Sequence, residues 1–394
     1  MMTVCPSIEK THGISKLPWP ARTAEHRWYG LGRYYAMFPA PFVTRAVRAF
    51  TERGDVVLDP FSGRGNAPFL AAALGRPSVA IDILPVAWLF TAAKLLPARR
   101  PSDVLARVAA VRSAVRPADR KARSRFERMA WSPQVLGFLR AARRELRWED
   151  SRVDRTLMAF VALHMQDNSF KGLSNRLSPT VAHSAPYAVR WWAKHGMLEP
   201  PDTEPAAFLN DRIRRRYAYG TPGLARSTAL LGDARTKLRR IRRRRAKLLI
   251  TSPPYHDVTD YWNDHWLRLW LLGEPMTKDW KRTQKHTNLD AYRSLLHGVF
   301  ATARRHVRED GFVLVRCGAK EQTVRSCEEA IRAAWPNRTV VRRHTQVARR
   351  GVASGYGHGA KVVEEVDLVA VPEGGEGVGE AWAGVPDLAE EVVA

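Results

Sequence analysis

The architecture of this chain can be deduced outward from one segment, DVVLDPFSGRGN at positions 55–66. Its apolar run from Val56 to Leu58 is short, which predicts a buried strand. A turn spaced by Gly63 and Gly65 follows directly, and an apolar stretch from Ala67 to Leu74 comes next. The segment therefore predicts a strand, a tight glycine turn and a helix in immediate succession.

A second predicted strand runs from Ser78 to Ile81 and ends in Asp82. In a Rossmann-like sheet, a glycine turn after the first strand brings backbone close to a nucleotide cofactor. An acid that ends the next strand is placed to accept hydrogen bonds from both ribose hydroxyls. An ordinary βαβ unit with Asp82 on the surface is the alternative, and the complete pattern favours the cofactor site.

A third segment, KLLITSPPY at positions 247–255, predicts a second functional loop. The run from Leu248 to Ile250 reads as a buried strand, and two prolines, which lack an N–H and have a fixed φ, stop it. The result is a stiff loop at the carboxyl end of a strand, where open α/β sheets bind ligands. The Ser252 hydroxyl, a free carbonyl and the Tyr255 ring suit a flat heterocycle with an exocyclic amino group. Taken alone, the four residues SPPY favour a plain Pro-Pro turn, and it is the rest of the chain that favours the functional loop.

The composition indicates a large basic protein with a polyanionic partner. The chain has 394 residues, 45% of them hydrophobic, which is enough for a large core. Lys and Arg number 64 against 39 Asp and Glu, a formal charge of +25, so nucleic acid is the first candidate partner. An arginine-biased genome is the alternative, but it does not explain a cluster such as RRIRRRR at positions 239–245.

Several classes of protein are excluded by what the sequence lacks. The three cysteines form no CxxC pair, so we expect a reducing compartment and neither a structural zinc nor another metal site. The glycine-rich stretch at 349–359 has no GK[ST] sequence, which excludes a P-loop NTPase. The N-terminus has no signal-peptide pattern, and the longest apolar stretch, Leu84 to Leu96, is too short to span a membrane. We therefore expect a cytoplasmic protein with no membrane partner.

The strand–helix rhythm divides the chain into four parts. Residues 1–95 and 229–371 carry the cofactor and loop segments, and 372–394 predict a disordered acidic tail. Residues 96–228 form a predicted helical insertion, which is either a plain cap on the sheet or a module that faces nucleic acid. Apolar spacing predicts helices at Val104–Val115, Val135–Leu146, Val153–Met165 and His256–Leu272, the last with an aromatic face in the core, and strands at Gly311–Cys317, Thr339–Arg343 and Val366–Val371.

Together the motifs resemble those of the S-adenosylmethionine-dependent DNA amino-methyltransferases. DPFSGRG at 59–65 resembles their cofactor motif, and SPPY at 252–255 resembles their catalytic motif. GDA at 232–234 resembles the segment that contacts the adenine of the cofactor, and FPAP at 38–41 loosely resembles the segment over its methionine part. The matches lie in two blocks, Trp28–Ala93 and Thr228–Leu272, and their combination is more specific than any one motif.

The resemblance implies a fold, a cofactor and a set of site residues. The fold would be a Rossmann-like, seven-stranded methyltransferase sheet of the α/β class with a helical insertion. S-adenosylmethionine would be held by Phe38, Asp59, Phe61, Gly63, Gly65, Asp82, Asp233 and Ala234. Methyl transfer would involve Ser252, Pro253, Pro254 and Tyr255.

The resemblance also implies a substrate, double-stranded DNA with a flipped target base. A serine before the two prolines is typical of cytosine-N4 enzymes, and an aspartate is typical of adenine-N6 enzymes. Here the cofactor motif precedes the catalytic one, which departs from the usual cytosine-N4 order and makes the insertion the candidate for target recognition. We expect N4-methylcytosine, and adenine N6, an RNA amino group (guanine N2 or adenine N6) and a degenerate fold that only binds nucleic acid remain alternatives. A cognate restriction nuclease is left open, as are the recognition sequence and the oligomeric state.

Overall fold

The structure is a computed structural model. It describes residues 17–32, 38–169, 172–241, 245–256, 260–274, 286–349, 361–377 and 382, except the side chains of 346–349 and 361–363. Within these ranges one sheet of seven strands forms the centre of the molecule. Its strands are β1 Val56–Asp59, β2 Ser78–Asp82, β3 Thr228–Leu231, β4 Ala246–Thr251, β5 Val307–Gly318, β6 Thr339–Arg349 and β7 Lys361–Val371.

The strand order is β3-β2-β1-β4-β5-β7-β6, and β7 runs antiparallel to both of its neighbours. The remaining neighbours are parallel. This topology confirms the predicted α/β class and the Rossmann-like, seven-stranded sheet. The strand order changes direction between β1 and β4, and ligands bind at such a switch point, outside the carboxyl ends of the strands.

Helices cover both faces of the sheet. The helix predicted directly after the glycine turn runs from Asn66 to Ala73. The helices are α1 Ala24–Tyr29, α2 Ala40–Phe50, α3 Asn66–Ala73, α4 Pro85–Leu95, α5 Pro101–Ser113, α6 Arg125–Ala130, α7 Pro133–Glu145, α8 Arg152–His164, α9 Ala185–Lys194, α10 Pro205–Arg216, α11 Ala234–Arg240, α12 Tyr261–Asp264, α13 Trp266–Leu271, α14 Leu289–Ala303 and α15 Glu321–Ala334.

The alternation of side chains along the strands separates two hydrophobic cores. Val57 and Leu248 point to the face covered by α1 to α10 and by α12 and α13. Leu58 and Leu249, one residue further along each strand, point to the face covered by α11, α14 and α15. Because successive residues of a strand face opposite sides, strands that are buried on both faces are apolar throughout, as the sequence of β4 is.

The insertion at 96–228 packs as a continuation of the first helical layer. Phe160 and Leu209 belong to the same core as Val57 of the sheet and Phe69 of α3. The three helices predicted from apolar spacing in this segment are α5, α7 and α8. Not all of its aromatic residues face solvent, because Trp131 and Trp192 are fully buried.

Three sequence predictions need correction. The predicted helix at His256–Leu272 is two short helices that meet at His265, although Trp262 and Trp270 lie in the core as expected. No helix is predicted before Trp28 from the sequence, yet α1 begins at Ala24. The tail is not disordered at Trp382, which is 2% exposed and packs on Phe42 and Phe50 at ring distances of 5.6 and 5.1 Å.

Two further predictions lie partly or largely outside the described residues: the arginine cluster at 239–245, of which 242–244 are not described, and the glycine-rich stretch at 349–359, of which 350–359 are not described. Cys317 and Cys327 are buried free thiols, whereas Cys5 is outside these ranges. No helix in the described part of the chain has the length and apolar character needed to cross a membrane.

Candidate active site

A cavity of about 300 Å³ opens at the carboxyl ends of β1, β2 and β4, at the switch point of the sheet. The loop after each of these strands contributes to its wall. Residues of β5 and β7 complete the wall on the other side. The cavity is lined by Phe38, Asp59–Arg64, Asn66, Asp82–Leu84, Gly232–Arg235, Ser252, Pro254, Tyr255, Tyr261, Trp262, His286, Leu295, Val299, Arg316 and Glu365.

The turn after β1 depends on glycine at two positions. Gly63 and Gly65 have φ angles of 52° and 76°, in the left-handed region that side chains disfavour. At Gly65 a Cβ would also lie 2.6 Å from the Thr91 hydroxyl oxygen of α4. That hydroxyl donates a hydrogen bond to the Gly63 carbonyl at 2.8 Å, so α4 fixes the turn from behind.

Asp82, at the end of β2, is fixed by backbone donors. Its Oδ2 accepts from the Gly63 amide at 2.7 Å, and its Oδ1 accepts from the Leu84 amide at 2.9 Å. Burial raises the pKa of Asp82 to about 6, although both of these amides oppose the shift. Since a carboxylate oxygen has more than one lone pair, Asp82 can still accept hydrogen bonds from two hydroxyls in the cavity.

Asp59 joins the cofactor strand to the catalytic strand. It is 2% exposed, and its Oδ1 accepts from the Thr251 hydroxyl at 2.7 Å and from the Phe61 amide at 3.2 Å. Burial raises the pKa of Asp59 to about 7, and the nearby Asp82 adds to the shift. The Thr251 bond ties the ends of β1 and β4 together, on either side of the switch point.

The Tyr255 ring occupies the space that a side chain at position 318 would fill. Gly318 of β5 lies opposite Glu365 of β7 in the antiparallel register. A Cβ on Gly318 would meet the Tyr255 ring at 3.3 Å, so the ring packs against the bare backbone there. Its hydroxyl donates a hydrogen bond to Glu365 Oε1 at 2.8 Å, which fixes the direction of the ring.

Arg316 supports this arrangement from within the sheet. Its guanidinium donates two hydrogen bonds to Asp367, at 2.6 and 2.8 Å, and has a longer contact of 3.5 Å with Glu365. It also stacks on the Phe42 ring, 3.6 Å from the centroid. Burial lowers the pKa of Arg316, but Asp367 and Glu365 outweigh burial and raise it overall, so the guanidinium is charged.

The remaining predicted cofactor residues lie on other walls. Asp233 caps α11 and forms an ion pair with Arg235 at 2.6 Å, which holds the pKa of Asp233 below its usual range. Ala234 is beside it at the helix start. Phe38 stacks on Phe42 at 5.4 Å and presents itself to the cavity.

The structure thus brings most of the predicted site residues to one cavity. Gly65 and Pro253 do not line the cavity. The other predicted residues do: Phe38, Asp59, Phe61, Gly63, Asp82, Asp233, Ala234, Ser252, Pro254 and Tyr255. Sequence reasoning missed Thr251, Tyr261, Trp262, Arg316, Glu365 and Asp367. Ionisable residues inside strands that are otherwise apolar, as in VLVRC at 313–317 and EEVD at 364–367, were a signal that could have identified the last three.

Comparison with known proteins adds a family match over the cofactor half. An N6/N4-type family model described as DNA methylase matches residues 7–87. This segment includes β1, the glycine turn, β2 and Asp82, and it ends before the catalytic loop. A search of curated proteins finds no match.

Solved structures that resemble the chain do so at low identity. They include a precorrin 8W decarboxylase from Methanobacterium thermoautotrophicum, with 10% identity, a TM-score of 0.36, and coverage of 86% of this chain and 92% of that one. A SAM-dependent methyltransferase from Agrobacterium tumefaciens has 10% identity and a TM-score of 0.34, and the match covers 84% of this chain and 61% of that one. The rRNA methyltransferase aviRa from Streptomyces viridochromogenes has 13% identity and a TM-score of 0.32, with 92% and 97% covered.

Sequence identities and TM-scores this low carry no argument about the substrate. The assignment of the fold rests on the strand order of the sheet. The family match is the finding that bears on identity, because it falls on the segment in which the cofactor motif was recognised. It confirms the resemblance of this chain to the N4/N6 DNA amino-methyltransferases, and with it S-adenosylmethionine as the cofactor that this resemblance implies.

Proposed function

We propose that this protein is a site-specific DNA methyltransferase that acts on the exocyclic amine of a flipped base, most favourably N4 of cytosine. The observation that carries the proposal is the shared cavity. The glycine turn and Asp82 form one side of it, and Ser252, Pro254 and Tyr255 form the other. A methyl donor on the first side would therefore face a base held on the second.

The cofactor side offers the groups that S-adenosylmethionine needs. When bound, this cofactor supplies an activated methyl group. Asp82 would accept hydrogen bonds from the ribose hydroxyls, and the backbone of Gly63 would lie against the cofactor. Asp233 and Ala234 would contact the adenine, and Phe38 would cover the methionine part.

The base side offers acceptors for an amine and a ring for stacking. An exocyclic amine is a weak nucleophile because its lone pair is delocalised into the ring. A hydrogen bond from the amine to the Ser252 hydroxyl would favour a tetrahedral nitrogen and direct its lone pair. Tyr255 would stack on the base, which must leave the duplex to reach this loop.

The choice of base rests on Ser252. Its neutral hydroxyl stands where adenine-N6 enzymes of the family resembled here carry an aspartate, which favours cytosine N4 over adenine N6. The loop contains no cysteine, so the arrangement suits an exocyclic nitrogen and not a ring carbon. An RNA amino-methyltransferase and a binding module without activity remain the alternatives that an experiment must separate from this one.

The surface of the helical layer supports a nucleic-acid partner. Arg125 and Arg128 of α6, and Arg190 and Lys194 of α9, are exposed and have no ion pair in the described part of the chain. Exposed Tyr187 lies on the same helix as Arg190. We assign DNA contact to this part of the 96–228 insertion, where neutralised phosphates would make the affinity strongly salt-dependent. Location in the cytoplasm and a partner nuclease, if the protein belongs to a restriction system, are part of the same proposal.

The test is mass spectrometry of nucleosides from DNA and from RNA that have been incubated with the protein and S-adenosylmethionine. We expect N4-methylcytosine in double-stranded DNA. Ser252→Ala should slow its formation and leave cofactor affinity, measured by calorimetry, unchanged. Methylated guanine or adenine in RNA, with no methylated base in DNA, would overturn the substrate assignment.

A further inference from the structure

The catalytic loop has acceptors for an amine but no acid of its own. None of Ser252, Pro253, Pro254 and Tyr255 has a carboxyl group. Methyl transfer to an amine nevertheless places a positive charge on the nitrogen, and the product must then lose a proton. A carboxylate near the base would stabilise that charge and accept that proton.

Among the described residues, four carboxylates line the cavity, and three of them lie away from the base side. Asp59 is held by the Thr251 hydroxyl and lies at the end of β1. Asp82 is held by the amides of Gly63 and Leu84 on the cofactor side. Asp233 is neutralised by the ion pair with Arg235.

The fourth carboxylate, Glu365, lies on the base side. It is 1% exposed, lines the cavity, and accepts a hydrogen bond from the Tyr255 hydroxyl at 2.8 Å. The Arg316 guanidinium contacts Glu365 at 3.5 Å and forms its shorter bonds, at 2.6 and 2.8 Å, with Asp367. Glu365 is thus a buried carboxylate directed at the residue on which the base would stack.

We propose that the Glu365 carboxylate stabilises the positive charge formed in the methyl transfer and accepts the proton that the methylated amine releases. This inference rests on the proposed function and adds to it a residue from β7, more than a hundred positions beyond the catalytic loop. As the nitrogen–methyl bond forms and the sulfur–methyl bond breaks, the amine takes up the positive charge that the sulfur loses. The amine then gives up one proton, which passes to the Glu365 carboxylate and from there to water.

The test compares Glu365→Gln with Glu364→Gln. Glutamine at 365 keeps an oxygen acceptor for the Tyr255 hydroxyl and removes only the negative charge. Glu364 is its exposed neighbour, does not line the cavity, and serves as the matched control. We expect kcat to fall about 100-fold for Glu365→Gln, the lower end of the range typical of general acid–base groups, with the KM for S-adenosylmethionine little changed. Glu364→Gln should match the wild type.

A second measurement needs no nucleic acid. Sinefungin carries an ammonium-bearing group in place of the transferred methyl, whereas S-adenosylhomocysteine is neutral at that position. The preference of the protein for sinefungin over S-adenosylhomocysteine should fall about fivefold in Glu365→Gln, because a partly screened charge attraction is lost. Unchanged kcat together with an unchanged preference would overturn the proposal.

Tyr255→Phe separates direct action from action through the tyrosine. It removes the hydrogen bond to Glu365 and keeps both the ring and the charge. If Tyr255→Phe lowered kcat as much as Glu365→Gln, and the double variant were no worse, Glu365 would only position Tyr255 and the proposal would fail. If the wild type methylated no nucleic acid while the sinefungin preference still fell in Glu365→Gln, the substrate assignment would fail, and only the charge interaction of Glu365 with the transferred group would stand.

Discussion

The two sides of the cavity are built in different ways. The cofactor side relies on backbone: a turn with positive φ at Gly63 and Gly65, and two amides that hold Asp82. The base side relies on side chains from strands distant in sequence, with Tyr255 held by Glu365 and Glu365 flanked by Arg316. A backbone site is encoded locally, whereas a side-chain network exists only after β4, β5 and β7 have come together.

If the base side depends on its buried ion pair, breaking that pair should have the largest effect on stability. Asp367→Ala leaves the Arg316 guanidinium, 5% exposed, without its bidentate partner. We expect a loss of about 3–5 kcal/mol in the free energy of unfolding, measured by urea denaturation. Asp211→Ala, which breaks an exposed pair with Arg215 on α10, is the control and should cost less than about 0.5 kcal/mol. Equal losses in the two variants would show that burial does not distinguish the pairs.

On the cofactor side the corresponding change is Gly65→Ala. A Cβ there meets Thr91 at 2.6 Å in a backbone conformation with φ at 76°, so clash and strain act together. We expect a loss of about 2–4 kcal/mol in stability and of measurable cofactor binding. Gly54→Ala has a similar φ of 94° with no atom within 4 Å, and it isolates the strain alone, at about 1 kcal/mol. If Gly65→Ala lost no more stability than Gly54→Ala, the contact of Thr91 of α4 with the glycine turn would not be needed to fix the turn.

Asp59 lies at the junction of the two sides and should make stability depend on pH. Because burial raises its pKa to about 7 in the folded state, from 3.8 otherwise, its contribution favours folding at low pH and is lost as the pH rises through 7. Asp59→Asn removes the ionisation and keeps Oδ1 as an acceptor. We expect the free energy of unfolding of the variant, relative to that of the wild type, to rise by roughly 1–3 kcal/mol between pH 5 and pH 8. Denaturation at each pH measures this difference.

The matched variant for this pH dependence is Asp233→Asn. Arg235 lowers the pKa of Asp233, so its contribution is lost only as the pH falls below the ordinary range for a carboxyl. The difference in the free energy of unfolding between Asp233→Asn and the wild type should therefore stay constant between pH 5 and pH 8. A constant difference for Asp59→Asn as well would show that Asp59 is ionised throughout this range.

The smallest effect on stability is expected at Gly318, where the base side of the cavity needs a residue without a side chain. In Gly318→Ala the new methyl group lies 3.3 Å from the Tyr255 ring, so the ring must shift by a few tenths of an ångström. We expect less than about 1 kcal/mol of lost stability but a three- to tenfold fall in kcat, because catalysis depends on the position of the base. Gly377→Ala, which has no atom within 4 Å, should leave both quantities unchanged. A normal kcat in Gly318→Ala would mean that the ring can move without consequence.

The sequence by itself determined the class of sheet, the glycine turn and the two loops that face the cavity. These features have local signatures: a short apolar run, two glycines at fixed spacing, an acid one strand further on, and two consecutive prolines. Each restricts the backbone within a few residues, so no distant contact is needed to interpret it. Even the long insertion could be read as helical, because its apolar residues recur at helical spacing.

Only the tertiary structure decided what surrounds Tyr255. Gly318 and Glu365 become neighbours because β5 and β7 pair antiparallel in one register, and a shift of one residue would turn Glu365 to the opposite face of the sheet. The burial of Trp382 against α2 likewise depends on where the chain returns after β7. Such contacts join residues far apart in sequence, and their free energy comes from burial and mutual hydrogen bonding, which no single segment contains.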